Sequence, residues 1–169
     1  MRQNQPVIEP ATTADLDAIV THWVRLAHDQ REYGSYVLAE QNRELMHEVL
    51  AAHSFDGRLL VARVDGTVAG FASFSIEAGS LALESTRGFL SNLYVRPAYR
   101  GQGIGTALLE TVEEALVERG ADDLILETMA ENERARRFYR RAGYEPFRVS
   151  MERSLEDRTK NDTHSKGEE

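Results

Sequence analysis

The chain has no cysteine in its 169 residues. That excludes a disulfide framework and a thiol nucleophile. It also lacks any apolar run near the ~20 residues that a membrane span needs, and Met1–Pro6 has no signal-peptide apolar core. A cytoplasmic protein without membrane contact is the expectation. Nor is there an excess of basic residues: Lys and Arg number 20 against 28 Asp and Glu, a formal charge of −8. General nucleic-acid binding wants a basic face, so it is disfavoured. Acidic surfaces mostly confer solubility, and this one would also suit a cationic amine. His22, His28, His47 and His53 lack zinc-ligand spacing and read as surface or capped side chains, so no metal is expected. An anionic ligand would need local cations, and Arg96 and Arg100 are placed to supply them.

A length of 169 residues fits one domain with a core of its own. Val7–Pro10 reads as a short edge strand. Thr12-x-x-Asp15 has the form of a capping box, and Leu16, Ile19, Val20, Trp23 and Leu26 mark one helical face. Leu45, Met46, Val49 and Leu50 indicate a second helix. Leu59–Val64 and Thr67–Ile76 flank Asp65-Gly66, a two-residue hairpin signal. Glu77–Gly88 is a polar loop. Phe89–Val95 is a strand, and Ile104, Ala107, Leu108, Val112, Ala115 and Leu116 form the core face of a helix ended by Gly120. Leu124–Met129 reads as a strand, and Tyr144–Met151 as a final one. Residues 153–169 are polar and expected to be disordered. The order predicts an α/β (mixed α+β) fold in one domain, 1–152, with helices on both faces of a mixed sheet.

The chemistry concentrates in Leu93-Tyr94-Val95-Arg96-Pro97-Ala98-Tyr99-Arg100-Gly101-Gln102-Gly103-Ile104-Gly105-Thr106. A strand feeds a turn, then three glycines, then an amphipathic helix. Free backbone N–H groups of a glycine loop at a helix N-terminus suit a phosphate, and glycine lets the backbone approach it closely. A dinucleotide fingerprint would need glycine at position 106 or 108, where Thr106 and Leu108 stand. A P-loop would need Gly-Lys followed by Ser or Thr, which is absent here. Downstream, Asn132-Glu-Arg-Ala135-Arg-Arg-Phe138-Tyr139 reads as a helix: Asn132 is a good N-cap, and Ala135, Phe138, Tyr139 and Ala142 share a face before Gly143. The arginines at 134, 136, 137, 140 and 141 wrap around this helix, so most read as a solvated face.

Arg100-Gly-Gln-Gly-Ile-Gly105 resembles the acetyl-coenzyme A loop of GNAT superfamily N-acetyltransferases. The Asn132–Tyr139 segment, with Gly143-Tyr144 after it, resembles a second motif of that family. The resemblance follows element order over most of 6–152, and its specific motifs lie in 89–147. It implies a mostly antiparallel sheet and acetyl-coenzyme A as acyl donor, with a primary amine on a small molecule or peptide as acceptor. On its terms Leu93, Tyr94 and Val95 hold the acyl arm. Arg100, Gly101, Gln102, Gly103, Ile104, Gly105 and Thr106 hold the pyrophosphate, and Asn132 contacts the cofactor or caps its helix. Tyr139 is the general acid, against a plainer reading as a core residue. Family members that use a glutamate just before the position of Leu93 have no counterpart here, because Ser91 and Asn92 stand there. Glu127, Glu77 and Glu84 are the remaining carboxylates, and the role of base is left empty. Tyr33 fits the acceptor pocket better than Trp23, which lies on the core stripe. Homodimers are common in the family. The rival readings are a non-catalytic acyl-coenzyme A sensor and a nucleotide-binding module, the latter disfavoured by the failed spacings.

Overall fold

A computed structural model describes residues 5–77 and 81–156. Most of the expected tail, 157–169, and part of the 77–88 loop lie outside the described residues. The chain divides into two compact units within its last helix, one ending at Arg136 and one beginning at Arg137.

In the first unit, a sheet of five strands runs in order β1 (Val7–Pro10), β2 (Leu59–Val64), β3 (Thr67–Ile76), β4 (Arg87–Val95) and β5 (Asp123–Leu126). The first four pair antiparallel, and β5 joins β4 in parallel. Sheet order equals chain order because a short hairpin links β2 to β3 and a longer loop links β3 to β4. Asp65 (φ 50°) and Gly66 (φ 78°) form the hairpin, both left-handed as a type I′ turn requires. The last link crosses over through α3 (Ile104–Glu118), as parallel pairing demands.

Helices α1 (Leu16–Gln30) and α2 (Arg43–Phe55) cover one face of the sheet. Ile19, Val20, Trp23 and Leu50 bury against Leu59, Val61, Val68, Phe71 and Tyr94 in one core cluster. Alternate strand positions point the other way, towards α3, where Leu108, Leu109, Val112 and Leu116 are buried. Each such leucine or isoleucine contributes roughly 1.5–3 kcal/mol by leaving water. The entry to α1 is tied by the backbone N–H of Thr12, which donates to the Asp15 carboxylate at 2.8 Å. Burial alone would raise the Asp15 pKa. The Arg63 guanidinium at 2.7 Å, with help from Thr12, holds it below the usual carboxylate value. Arg63 also bonds Glu9 on β1, so a three-residue cluster pins the helix to two strands.

Gly70 on β3 lies tight against β4 and α3. A Cβ there would lie 2.5 Å from the Tyr94 carbonyl oxygen and 3.4 Å from Leu108. Backbone is the obstacle, so side-chain rotation gives no relief. Gly70→Ala is expected to destabilise by about 1–3 kcal/mol, read as a fall in the denaturant midpoint at unchanged m-value. A midpoint equal to wild type would show that β4 shifts freely.

Two expectations are corrected. The strand after α3 ends at Leu126 instead of Met129, because its pairing with β4 ends at Leu90↔Leu126. The segment 144–151 forms no strand among the described residues, although Phe147, Val149 and Met151 alternate. Pro146 removes a backbone donor, and those three apolar side chains stand exposed.

Candidate active site

The nine residues of β4 outrun its neighbour. β5 pairs only with Arg87–Leu90, so Ser91–Val95 have β3 on one side and no strand on the other among the described residues. The ladder with β3 also slips here. Ser73 pairs with Asn92 and Phe74 with Leu90, which leaves Ser91 as the extra residue of a β-bulge. The bulge re-aims the residues after it, sending Tyr94 to the α1 face, where it is 3 % exposed. Leu93 and Val95 are half-buried.

Beyond Val95 the chain turns through Pro97–Tyr99 into the glycine loop. Gly101 (φ 75°) and Gly103 (φ 82°) are both left-handed, and a Cβ at either would meet nothing within 4 Å. These glycines therefore serve a backbone conformation and an open cradle, since neither makes room for a protein neighbour. Gly103 is the N-cap of α3. No backbone N–H from Gly101 to Thr106 donates to a protein acceptor among the described residues, and the first bond of the helix is Ala107 N–H to the Gly103 carbonyl at 3.0 Å. The result is a concentration of unpaired donors at the positive end of a fifteen-residue helix. An anion of phosphate size fits that arrangement.

Arg100 does more than lend charge. Its Nε donates to the Val95 carbonyl at 2.8 Å, and its guanidinium lies 5.6 Å from the Tyr94 ring centroid. The side chain folds back to brace the corner between strand and loop. Arg96 lies over the Tyr99 ring at 5.5 Å.

Asn132 is a true cap: its Oδ1 accepts from the Ala135 N–H at 3.1 Å, and the residue is 8 % exposed. Helix α4 (Glu133–Arg141) follows. Arg136 pairs with Glu133 at 2.7 Å, while Arg134, Arg137, Arg140 and Arg141 are exposed, in keeping with a solvated face. The second unit starts within α4 and holds Tyr139. Its ring packs edge-on against Phe138 at 5.1 Å and Tyr144 at 5.8 Å. The helix ends on Gly143 (φ 94°), with Tyr144 N–H bonded to the Tyr139 carbonyl at 2.9 Å. Burial pushes the Tyr139 phenol up to about 12, so it is a neutral donor throughout the physiological range.

Two features were missed in the sequence. Ser73 is fully buried, and Asn92 Nδ2 donates to its Oγ at 2.8 Å. This neutral pair sits beside the bulge, where no spacing rule connects residues 19 apart. The other is His22, which is buried, not capped or at the surface, and stacks on Tyr94 at 5.8 Å. Trp23 lies in the core and Tyr33 is half-buried. Glu77, Glu84 and Glu127 are all exposed. Among the described residues no group of three or more His, Asp or Glu side chains could hold a metal ion, and no helix is long and apolar enough to cross a membrane.

Residues 18–144 match the family model described as the acetyltransferase (GNAT) family. An N-acetyltransferase of Archaeoglobus fulgidus with no assigned role is 31 % identical over 132 residues, 78 % of this chain and 88 % of that protein. Aminoglycoside N(6′)-acetyltransferase type 1 of Stenotrophomonas maltophilia is 29 % identical over 163 residues, 91 % of this chain and 99 % of that protein. Two further curated relatives match over shorter stretches, in which this chain spans half or less of their length. The crystal structure of a predicted acetyltransferase with acetyl-CoA from Clostridium acetobutylicum superposes with a TM-score of 0.71 at 16 % identity, covering 90 % of this chain and 97 % of that one. These similarities place the chain in the class of acetyl-CoA-dependent N-acetyltransferases. The chain belongs to the acetyltransferase (GNAT) family.

Proposed function

We propose that this protein moves an acetyl group from acetyl-coenzyme A directly to a primary amine on a small molecule or peptide. The observation that carries the reading is the run of unpaired N–H groups from Gly101 to Thr106, opened by two left-handed glycines. Those amides, with Arg100 beside them, suit a pyrophosphate. The open edge of β4 past Leu90 suits an extended arm bearing amides, taken up as an added strand would be. A backbone N–H of Leu93–Val95 can then polarise the thioester carbonyl and hold the oxyanion.

On this reading the amine nitrogen attacks the thioester carbonyl carbon and a tetrahedral intermediate forms. The C–S bond breaks, and the leaving sulfur takes the proton of the Tyr139 hydroxyl, which the phenolate regains from solvent. The proton released by the amine passes to solvent or to a base that no residue is assigned. With no cysteine in the chain, transfer runs in a ternary complex without an acyl-cysteine. The acetyltransferase domain is 1–152 and the location cytoplasmic. The Stenotrophomonas maltophilia relative's name includes an aminoglycoside among the acceptors worth trying first.

A second reading rests on Asn92. Tied to Ser73, it offers no carboxylate where the resemblance would put one, which favours a sensor that binds acyl-coenzyme A without turnover. Free-thiol release from acetyl-coenzyme A separates the two, measured against polyamines, amino acids, aminoglycosides and short peptides. Amine-dependent release is expected. Tight calorimetric binding of acetyl-coenzyme A with no release for any amine would favour the sensor.

A further inference from the structure

The bulge that frees the end of β4 also presents a side chain there. Asn92 and Tyr94, two residues apart, share one face of the strand and pair with Ser73 and Phe71. Tyr94 and Phe71 belong to the core under α1, so Asn92 lies on the α1 face. The glycine loop heads α3, on the other face. Asn92 Nδ2 donates to the Oγ of the fully buried Ser73 at 2.8 Å, which anchors one end of the planar amide on β3. Oδ1, the other end, is thereby turned away from β3 and towards the edge that β5 leaves open. It meets no donor among the described residues, where His22 Nδ1 is the only buried side-chain polar atom without a partner. Oδ1 of the half-buried Asn92 is therefore open to solvent. Across the gap, a Cβ at Gly34, in the turn that follows α1, would lie 3.9 Å from the Met129 methyl beyond β5. A fixed hydrogen-bond acceptor thus stands beside the free edge, on the face opposite the glycine loop.

We propose that Asn92 Oδ1 receives one N–H of the acceptor and so makes the site selective for primary amines. The inference rests on the acetyl-transfer reading above. With the acyl arm rising from the glycine loop on the α3 side, the amine approaches the thioester from the α1 side, where Oδ1 stands. An N–H given to Oδ1 fixes the nitrogen and leaves its lone pair for the thioester carbon. On attack the nitrogen becomes positive while it still carries two hydrogens. The bond to Oδ1 is then charge-assisted and strengthens as the barrier is crossed. An amide oxygen accepts a hydrogen without removing it. One hydrogen therefore stays on Oδ1 into the product amide, and the other leaves for solvent. A primary amine supplies both. A secondary amine or an alcohol has only one, so the hydrogen it must lose is the one that Oδ1 holds. Ser73 acts through Asn92 as a positioning residue.

Glycinamide, a small primary amine, and sarcosinamide, its N-methyl analogue, are the probes. Wild type should prefer glycinamide in kcat/KM by at least about tenfold, the size of one charge-assisted hydrogen bond. Asn92→Leu keeps the bulk and removes the oxygen. Its kcat/KM for glycinamide should fall at least about tenfold, its preference over sarcosinamide should largely vanish, and KM for acetyl-coenzyme A should stay as in wild type. Ser73→Ala, with Asn92 in place, should lower glycinamide kcat/KM by about threefold or more, again with KM for acetyl-coenzyme A unmoved. A general loosening of the sheet would not give that split, and this variant carries the test if Asn92→Leu does not fold. Contact is read separately by NMR in protein saturated with coenzyme A, which has no acetyl group to transfer. The Asn92 side-chain amide signals, identified by their loss in Asn92→Ala, should move saturably with glycinamide. Movement of those signals without thiol release from acetyl-coenzyme A would overturn the transfer reading and uphold the amine contact. Signals that ignore glycinamide, or an Asn92→Leu enzyme with undiminished preference for glycinamide, would each overturn the proposal.

Discussion

Gly103→Asp should abolish measurable coenzyme A binding while the protein stays folded. The backbone at 103 is left-handed (φ 82°), so a side chain costs about 1–2 kcal/mol in conformational strain. No protein atom lies within 4 Å of the new Cβ, so nothing in the fold is displaced. The side chain instead enters the space over the free amides. Its carboxylate lies beside the N–H groups that head α3, repels an incoming pyrophosphate and competes for its donors. A loss of at least about 100-fold in affinity, near 2.7 kcal/mol, is expected. The melting temperature should fall by only several degrees. Gly103→Ala separates the causes, because it shares the strain without the charge and should lose far less affinity. Calorimetric titration of both variants, with a thermal melt of each, reads the difference. Coenzyme A affinity equal to wild type in Gly103→Asp would remove the loop from the account.

Tyr139→Phe carries the second large effect. The phenol is protonated well beyond pH 8, since burial pushes it up to about 12. The proton is therefore present at working pH, and if the phenol delivers it to the departing thiolate, removing the hydroxyl should lower kcat by about 10²–10⁴-fold. KM for acetyl-coenzyme A should hardly move, because the ring remains and only the hydroxyl goes. The packing on Phe138 and Tyr144 is likewise retained. A structural tyrosine would behave oppositely, losing stability with kcat intact. The alkaline side gives a further check. A phenol whose folded pKa lies above its unfolded value of about 10 stabilises the fold fully below pH 10 and loses that contribution as pH rises towards 12. The phenylalanine variant has no such loss. Steady-state kinetics with stability curves at pH 8 and 11 would separate the roles, and unaltered kcat would return Tyr139 to the core.

Much of this was legible because the signals are local. A glycine loop between a strand and a helix, Asp65-Gly66 between two apolar runs, and the Thr12–Asp15 spacing each encode geometry within a few residues. Asn132 as a cap and Gly143 as a stop are of the same kind. Pairing is not local. Phe147, Val149 and Met151 have the alternation of a strand, but a strand exists only where a partner accepts its hydrogen bonds. The shortened β5 fails for the same reason, ending at Leu126 where the sequence led on to Met129. Ser73 with Asn92, and His22 under Tyr94, join positions that only the sheet brings together. Arg100 was legible as charge, while its bond to the Val95 carbonyl needed the turn that precedes it.

The bulge at Ser91 bears on how this chain tolerates changes in length. Ser73↔Asn92 and Phe74↔Leu90 would be consecutive rungs if Ser91 were deleted, and the faces of the strand would stay as they are. Deleting Tyr94 and closing the bulge would instead draw Leu93 to the rung opposite Phe71, on the α1 face that Tyr94 now occupies. The sheet does not need its extra residue. A descendant that had ceased to use this part of the strand would be free to shed Ser91 with its fold intact, so the residue's presence or loss across descendants records whether the site is still in service.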